Sequence, residues 1–409
     1  MIKKITIDQL KPGIFIHDFD SGWHTENLFI NQTLVKNTRT IEIIRSWGIQ
    51  EVFIDTDKGL DIDEAKTARE VQLETDANLH KLAEADPSSS YYIPLKEEIA
   101  IAEDIKKEAT SVIQRAAQNI QDGKPLETDD AFHLIEKMGD SVTRNKDALI
   151  LLTRLRKKDE YTLMHSISVG SLVLSFCNYA KIPHERTLHF AVGALFHDIG
   201  KTMIPLSILN KPGKLTDLEY EEMKRHAEYS AEVMKSAENI PHEAYDMGLH
   251  HHERYDGTGY PHGLKGNDIG YGSQIAAICD VYDAITSSRC YKDGMDSILA
   301  LRKLYEWSNY HFNKDLTYQF IRCVGVYPIG TCVRLESGLI GVVVGSTDNV
   351  LQPIVRVFHD DKKQVSVPLY DRDLFKIDDK VANYEDPGKW DLGKLKIFDD
   401  LPAGISLFS

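Results

Sequence analysis

The sequence predicts a mainly α protein: a helical bundle with a small N-terminal α/β domain before it and a short C-terminal antiparallel β segment after it. Three observations carry that reading. From about residue 95 to residue 326 apolar side chains recur at three- and four-residue spacing, the period of a helix with one buried face. Residues 1–64 instead hold short strand-like runs around a tight turn. After Tyr327-Pro328, residues 327–409 change to brief β-type runs separated by turn residues.

In the N-terminal domain, Ile5–Ile7, Ile14–Ile16 and Val52–Ile54 read as strands and Lys11-Pro12-Gly13 as a turn, with helical spacing over Ile41–Trp47. Asp61–Ala85 is charged and helix-permissive, and Asp86-Pro87-Ser88-Ser89-Ser90 breaks it, so residues 65–94 suggest a charged linker or exposed arm. In the bundle, residues 95–326, the series Ile101, Ile105, Ala109, Val112, Ala116 and Ile120 marks one buried helix face. Thr216-Asp217-Leu218-Glu219 has capping-box spacing and starts a helix ahead of His226. Leu188–Ile199 and Ser273–Thr286 are apolar enough for core helices, a setting that also places His189 in the core. The C-terminal strands are expected at Cys332–Leu335, Gly341–Val344, Ile354–Phe358 and Val365–Pro368, with turns at 336–338 and 360–363.

Composition excludes several function classes. A net charge of -15 argues against a DNA or RNA binder, which needs an electropositive footprint. The opening MIKKITIDQL has no apolar run behind its lysines, and no stretch approaches the ~20 apolar residues of a membrane span. Cys177, Cys279, Cys290, Cys323 and Cys332 form no CxxC pair or regular framework, as expected of a cytoplasmic protein without membrane attachment. The histidines cluster instead: ten of the 16 lie between His165 and His262, which directs the search for chemistry there.

Five segments of that region carry potential metal ligands: His165, the pair His197-Asp198, His226, the pair His251-His252, and Asp280. Imidazole mixed with carboxylate suits iron, manganese, nickel or zinc rather than calcium or magnesium. A carboxylate can bridge two cations where a neutral imidazole cannot, which makes an aspartate beside a histidine a natural bridge. Two cations about 3.5–4 Å apart can activate water and stabilise both oxygens of an in-line phosphoryl displacement.

The wording around these residues resembles a known family. Phe196-His197-Asp198-Ile199-Gly200-Lys201 is similar to the signature of the HD phosphohydrolase superfamily, and residues 251–261, HHERYDGTGYP, resemble the HHExxDGxGYP motif of its HD-GYP branch. Lys211–Thr216 and Asp280–Ala284 match two further family phrases, and the four stand in family order between His165 and Asn313. The resemblance implies a metal-dependent phosphodiesterase that opens a 3′,5′-linked cyclic dinucleotide. Cyclic di-GMP is the expected substrate, giving linear pGpG or GMP; 3′,3′-cyclic GMP-AMP, or a sensor acting through the GYP loop without catalysis, are the alternatives. It implies metal ligation by His165, His197, Asp198, His226, His251, His252 and Asp280, with Asp198 as the bridge. Lys201 is implied at the scissile phosphate, Arg289 and Lys292 at the ligand phosphates, and Gly259, Tyr260 and Pro261 in the loop that borders the substrate. Protein partners or a homodimer would use the N-terminal domain or the GYP loop.

The chain departs from the pattern at Ala227 and Ser230, where the family usually has Pro and Gly, at Gln274 in place of a common Arg, and at Ser288-Arg289-Cys290. His250 extends the histidine pair to three and has no implied role. Two metals are expected, iron or manganese first and nickel or zinc as alternatives. Trinuclear family members carry a glutamate four residues before the first ligand histidine, where this chain has Tyr161. On a helix Glu160 would point ~140° and Asp159 ~120° away from His165. A helix that began after Tyr161 would instead free Glu160 to turn inward.

Overall fold

A computed structural model describes residues 1–20, 32–85, 93–154, 161–287, 294–392 and 394–398 of the chain. β1 (Ile2–Thr6), β2 (Phe15–Asp18), β3 (Thr33–Leu34) and β4 (Glu51–Asp55) form an antiparallel sheet in the order β1-β4-β2-β3. Alternate residues face one side, so Ile5, Ile16, Val52 and Ile54 share a small core that α1 (Thr38–Ser46) closes with Ile41 and Ile44. Asn37 caps α1 by accepting the Thr40 amide. β1 lies earlier than the expected run because the Gln9 side chain takes the Thr6 amide and turns Ile7–Gln9 into a single 3-10 turn.

The expected linker is partly a docked helix. α2 (Ala68–Ala85) buries Leu79 and Ala83 in the bundle core, Asp76 forms a two-point ion pair with Arg302, and His80 meets the Tyr327 hydroxyl at 2.6 Å. Of its apolar residues only this narrow i, i+4 pair is buried, and the charges around it read from sequence as an exposed arm.

The bundle continues with α3 (Leu95–Gln121), α4 (Asp129–Arg144), α5 (Lys146–Arg154), α6 (Tyr161–Tyr179), α7 (His184–Phe196), α8 (Leu206–Leu209) and α9 (Asp217–Lys224). It closes with α10 (His226–Ser236), α11 (His242–His250), α12 (Tyr271–Thr286), α13 (Ser297–Trp307) and α14 (Lys314–Val324). The buried face of α3 runs through Ile99, Ala102, Ile105, Ala109, Val112 and Ala116, whereas Ile101 is exposed, one step out of phase with that stripe. The capping box at Thr216 is present: its hydroxyl accepts from the Glu219 amide, and the Glu219 carboxylate takes the Thr216 amide. Tyr161 is already helical, so the alternative in which the helix begins after it does not hold; Asp159 and Glu160 lie outside the described residues.

β5 (Cys332–Leu335), β6 (Leu339–Gly345), β7 (Ile354–Asp360), β8 (Val365–Asp373) and β9 (Val381–Tyr384) form an antiparallel sheet in the order β8-β7-β6-β5-β9. Val333, Val342, Val355 and Val357 from this sheet belong to the same core as the bundle. β9 in this sheet, like β3 in the first, was not announced by the sequence, since Val-Ala-Asn-Tyr is too short and too polar to show alternation. Among the described residues no helix is long and apolar enough to cross a membrane.

For the site, the relevant packing is among α6, α7, α10, α11 and α12, each in contact with at least two of the others or their flanking turns. His165 sits in the second turn of α6, His197 just past α7, His226 at the start of α10, His251 just past α11, and Asp280 midway along α12.

Candidate metal centre

A close backbone approach brings the His197-Asp198 corner to α10. The turn Ile199–Met203 lies directly on the start of that helix, and a Cβ on Gly200 would stand 2.2 Å from the His226 carbonyl and 2.3 Å from the Ser230 amide. Only glycine permits this contact. Ser230, where the family usually has Gly, takes up the approach by accepting the Gly200 amide at 2.8 Å, while Ala227 is wholly buried behind it. Gln274, in place of the common Arg, donates to the Ile269 carbonyl and accepts from Asn313, the cap of α14.

Three of the histidines are oriented in one way. Nδ1 of His197 donates to the Ala194 carbonyl at 2.7 Å, Nδ1 of His226 to Met223 at 2.7 Å, and Nδ1 of His251 to Gly248 at 2.9 Å. A carbonyl can only accept, so the proton of each neutral ring is on Nδ1 and the Nε2 lone pair points inward. Burial, with the neighbouring Lys201 cation, pushes His226 down to about 4. Burial and the nearby His197 and His226 push His251 down to about 3. Both rings are therefore neutral near pH 7. His165 differs: Nδ1 meets Asp283 Oδ2 at 2.7 Å and Nε2 meets Asp280 Oδ1 at 3.0 Å. Burial works against its protonation, but these two carboxylates raise it to about 9.

The inward nitrogens crowd together, and not all of them can be satisfied. Nε2 of His226 lies 3.4 Å from Nε2 of His251 and 3.0 Å from Nε2 of His252. His226 and His251 both present lone pairs there, so no proton is available between them. Nε2 of His197 and Oδ1 of Asp198 are buried without a hydrogen-bond partner among the described residues. Buried polar atoms are normally satisfied, and converging unsatisfied lone pairs are what a cation would relieve.

The donors form two groups, each with its ligand atoms within 4.8 Å of one another: Asp198, His226, His251 and His252, and separately His165, His197 and Asp280. Asp198 stands between them. Its Oδ1 is 3.3 Å from His226 and 3.9 Å from His251, while its Oδ2 is 3.4 Å from His197 and 3.7 Å from His165. Burial would raise the Asp198 carboxyl, but Lys201 and His197 overcome it and hold the group well below the usual carboxylate range. Lys201 Nζ reaches Oδ2 at 2.5 Å, and its side chain remains about a quarter exposed at the mouth of the site. This nitrogen-rich set with acidic oxygens fits divalent transition metals.

The GYP loop closes one wall. Gly259 lies on the backbone of 252–254, the Tyr260 amide donates to the His252 carbonyl at 3.3 Å, and the Tyr260 ring packs on the His252 ring with centroids 4.7 Å apart. Pro261 follows through a cis peptide. Arg289 and Lys292 lie outside the described residues.

Several participants carry no signal that the sequence reading used. Asp283 stands three residues beyond Asp280 on the same helix face, a spacing that could have shown it. Glu253 is buried and accepts the His262 amide at 2.7 Å and the Leu264 amide at 3.0 Å, tying down the far end of the loop. His250, without an implied role, joins Asp246 at 2.8 Å to His262 at 3.0 Å. His189 is half-buried against Glu243 at 3.2 Å rather than in the core, because the outer face of α7 is open there.

Comparison with known proteins agrees with this geometry. A family model of the HD domain matches residues 142–316, and a second, for a domain of unknown function, matches residues 2–131. The chain is 34% identical over 410 aligned residues to a cyclic di-GMP phosphodiesterase of Pseudomonas aeruginosa, covering 99% of this chain and 97% of that one. A cyclic di-GMP phosphodiesterase of Vibrio cholerae is 33% identical over 210 residues, 47% of this chain and 43% of its own length. A 3′3′-cGAMP-specific phosphodiesterase of the same organism is 40% identical over 121 residues, 29% of this chain and 23% of its own length. With its motifs on one metal-competent centre and a relative matched end to end, the chain belongs to the HD-GYP family of HD-domain phosphodiesterases.

Proposed function

We propose that the chain is a binuclear-metal phosphodiesterase that hydrolyses one 3′,5′ linkage of a cyclic dinucleotide, with cyclic di-GMP as the principal substrate. The observation that carries this reading is Asp198, whose two oxygens face two separate groups of histidine and carboxylate donors. His226, His251 and His252 would hold one cation and His165, His197 and Asp280 the other, with Asp198 shared, and the donor set suits iron or manganese. Bound there, the pair supplies Lewis-acid charge that acidifies water and offsets the charge developing on the displaced oxygen.

The residues of the chain do the rest. The buried Nδ1 contacts keep the imidazoles from rotating, so the donors are preorganised. Lys201 swings from Asp198 Oδ2 to a phosphoryl oxygen, where its charge is worth most as the displacement proceeds. Arg289 and Lys292 neutralise the substrate phosphates, which a chain of net charge -15 must do locally. The loop through Gly259, Tyr260 and Pro261 walls the site and limits water.

A second substrate has its own support: a relative named for 3′3′-cGAMP is 40% identical over a matched segment of 121 residues. Turnover of an equimolar mixture of cyclic di-GMP and 3′3′-cGAMP by manganese- or iron-loaded protein decides between them. Preferential loss of cyclic di-GMP is expected. Binding of both with hydrolysis of neither would make the chain a sensor and overturn the proposal.

A further inference from the structure

The N-terminal sheet and α1 rest on the bundle beside the GYP loop. The turn after α1 faces Arg254 and Thr258: a Cβ on Gly48 would lie 3.4 Å from Arg254 Nη1 and 3.5 Å from the Thr258 side chain. Ion pairs hold the two parts together around this contact. Lys4 of β1 reaches Glu306 of α13 at 2.9 Å while also meeting Asp20 at 2.9 Å and Glu51 at 3.0 Å, and Asp20 pairs with Lys303.

From Arg254 a chain of hydrogen bonds runs on to the loop. Arg254 is only 7% exposed, and its guanidinium donates to the Thr258 hydroxyl at 3.3 Å. That hydroxyl and the Thr258 amide both donate to Asp256 Oδ1, at 2.6 and 2.9 Å. The next residues are Gly259, packed on the backbone of 252–254, and Tyr260, packed on His252 of the metal centre. Burial disfavours the charge of this guanidinium, and the Thr258 hydroxyl with the nearby Asp256 carboxylate offsets part of that cost. If the N-terminal part lifted away, Arg254 would be hydrated and the loop would lose one of its restraints.

We propose that Arg254 and Thr258 are positioning residues through which the N-terminal domain fixes the seat of Tyr260 over His252. The domain of unknown function thereby acts as a support for the wall of the active site. The importance of that wall for catalysis rests on the phosphodiesterase reading, whereas the mechanical coupling does not.

Hydrogen exchange on the full-length chain tests the coupling with two variants placed outside the metal centre. Lys4→Ala removes the cation shared by three carboxylates. Gly48→Asn keeps the left-handed backbone of that position (φ +73°), which asparagine tolerates, and adds a side chain against Arg254. Amides of residues 255–264 are expected to exchange about tenfold faster in at least one variant, with metal content unchanged. In that variant KM for the cyclic dinucleotide should rise about fivefold while kcat holds, the split that a loosened binding wall produces. Unchanged exchange of 255–264 in both variants overturns the proposal. A wild-type chain that turns over no cyclic dinucleotide would instead overturn the functional reading, and the exchange result would still decide the coupling.

Discussion

Asp283 holds Nδ1 of His165 at 2.7 Å, whereas His197, His226 and His251 give the same nitrogen to a main-chain carbonyl three residues back. One donor of the centre is thus oriented by a side chain from another helix. Changing Asp283 to Asn keeps the volume but removes the charge that supports the ring. Metal affinity, measured by competition with a chelator, is expected to fall about 10–100-fold, with the fold retained. Unaltered affinity would mean that His165 is placed by packing alone.

Lys201→Ala separates chemistry from binding. An ammonium that follows the developing charge acts mainly in the transition state, so kcat should drop by about 10²–10³ with little change in KM. Metal content should persist, since Lys201 donates to Asp198 and is not itself among the donor groups. A rise in KM with kcat intact would make it an anchor for bound substrate.

Gly200→Ala tests the backbone approach. A methyl group 2.2 Å from the His226 carbonyl cannot be accommodated without moving the turn off α10. Overpacking of this kind costs about 1–3 kcal/mol, and it should also separate Asp198 from His226 and lower metal affinity. A crystal structure with both residues in place would refute the argument.

Stability of the metal-free protein should peak near pH 6.5. His226 and His251 are depressed to about 4 and about 3 from the ordinary 6.5, so the unfolded chain binds more protons over that interval and stability rises with pH up to 6.5. His165 is raised to about 9, so its contribution is complete below 6.5 and is lost between 6.5 and 9. Urea midpoints of chelator-treated protein across pH 4–9 give the curve. A midpoint that keeps rising to pH 9 would contradict the protonation pattern described for His165.

Much of this was legible from the chain because the signals were local. The capping box at Thr216, the strands around Val52–Ile54 and the clustered histidines each depend on neighbours in sequence. What was missed depends on contacts between distant segments. α2 looked like an arm because only Leu79 and Ala83 of its apolar residues are buried, and the helix docks through Asp76 and His80 on Arg302 and Tyr327, more than 200 residues away. Glu253 and Asp283 were visible as residues of motifs, but a carboxylate's partner, a loop amide in one case and an imidazole in the other, is not written in its spacing. The phase slip at Ile101 arose because a three-four pattern fits more than one starting point on a long helix.

The central claim is that Asp198 joins two cations that hydrolyse a cyclic dinucleotide. Its most direct test is to measure bound metal and cyclic di-GMP turnover together, on wild-type and Asp198→Ala protein prepared alike. The account predicts about two metal ions per wild-type chain with steady production of pGpG. The folded variant should lose metal and turnover together. A folded, metal-poor Asp198→Ala protein that hydrolyses cyclic di-GMP at the wild-type rate would contradict it.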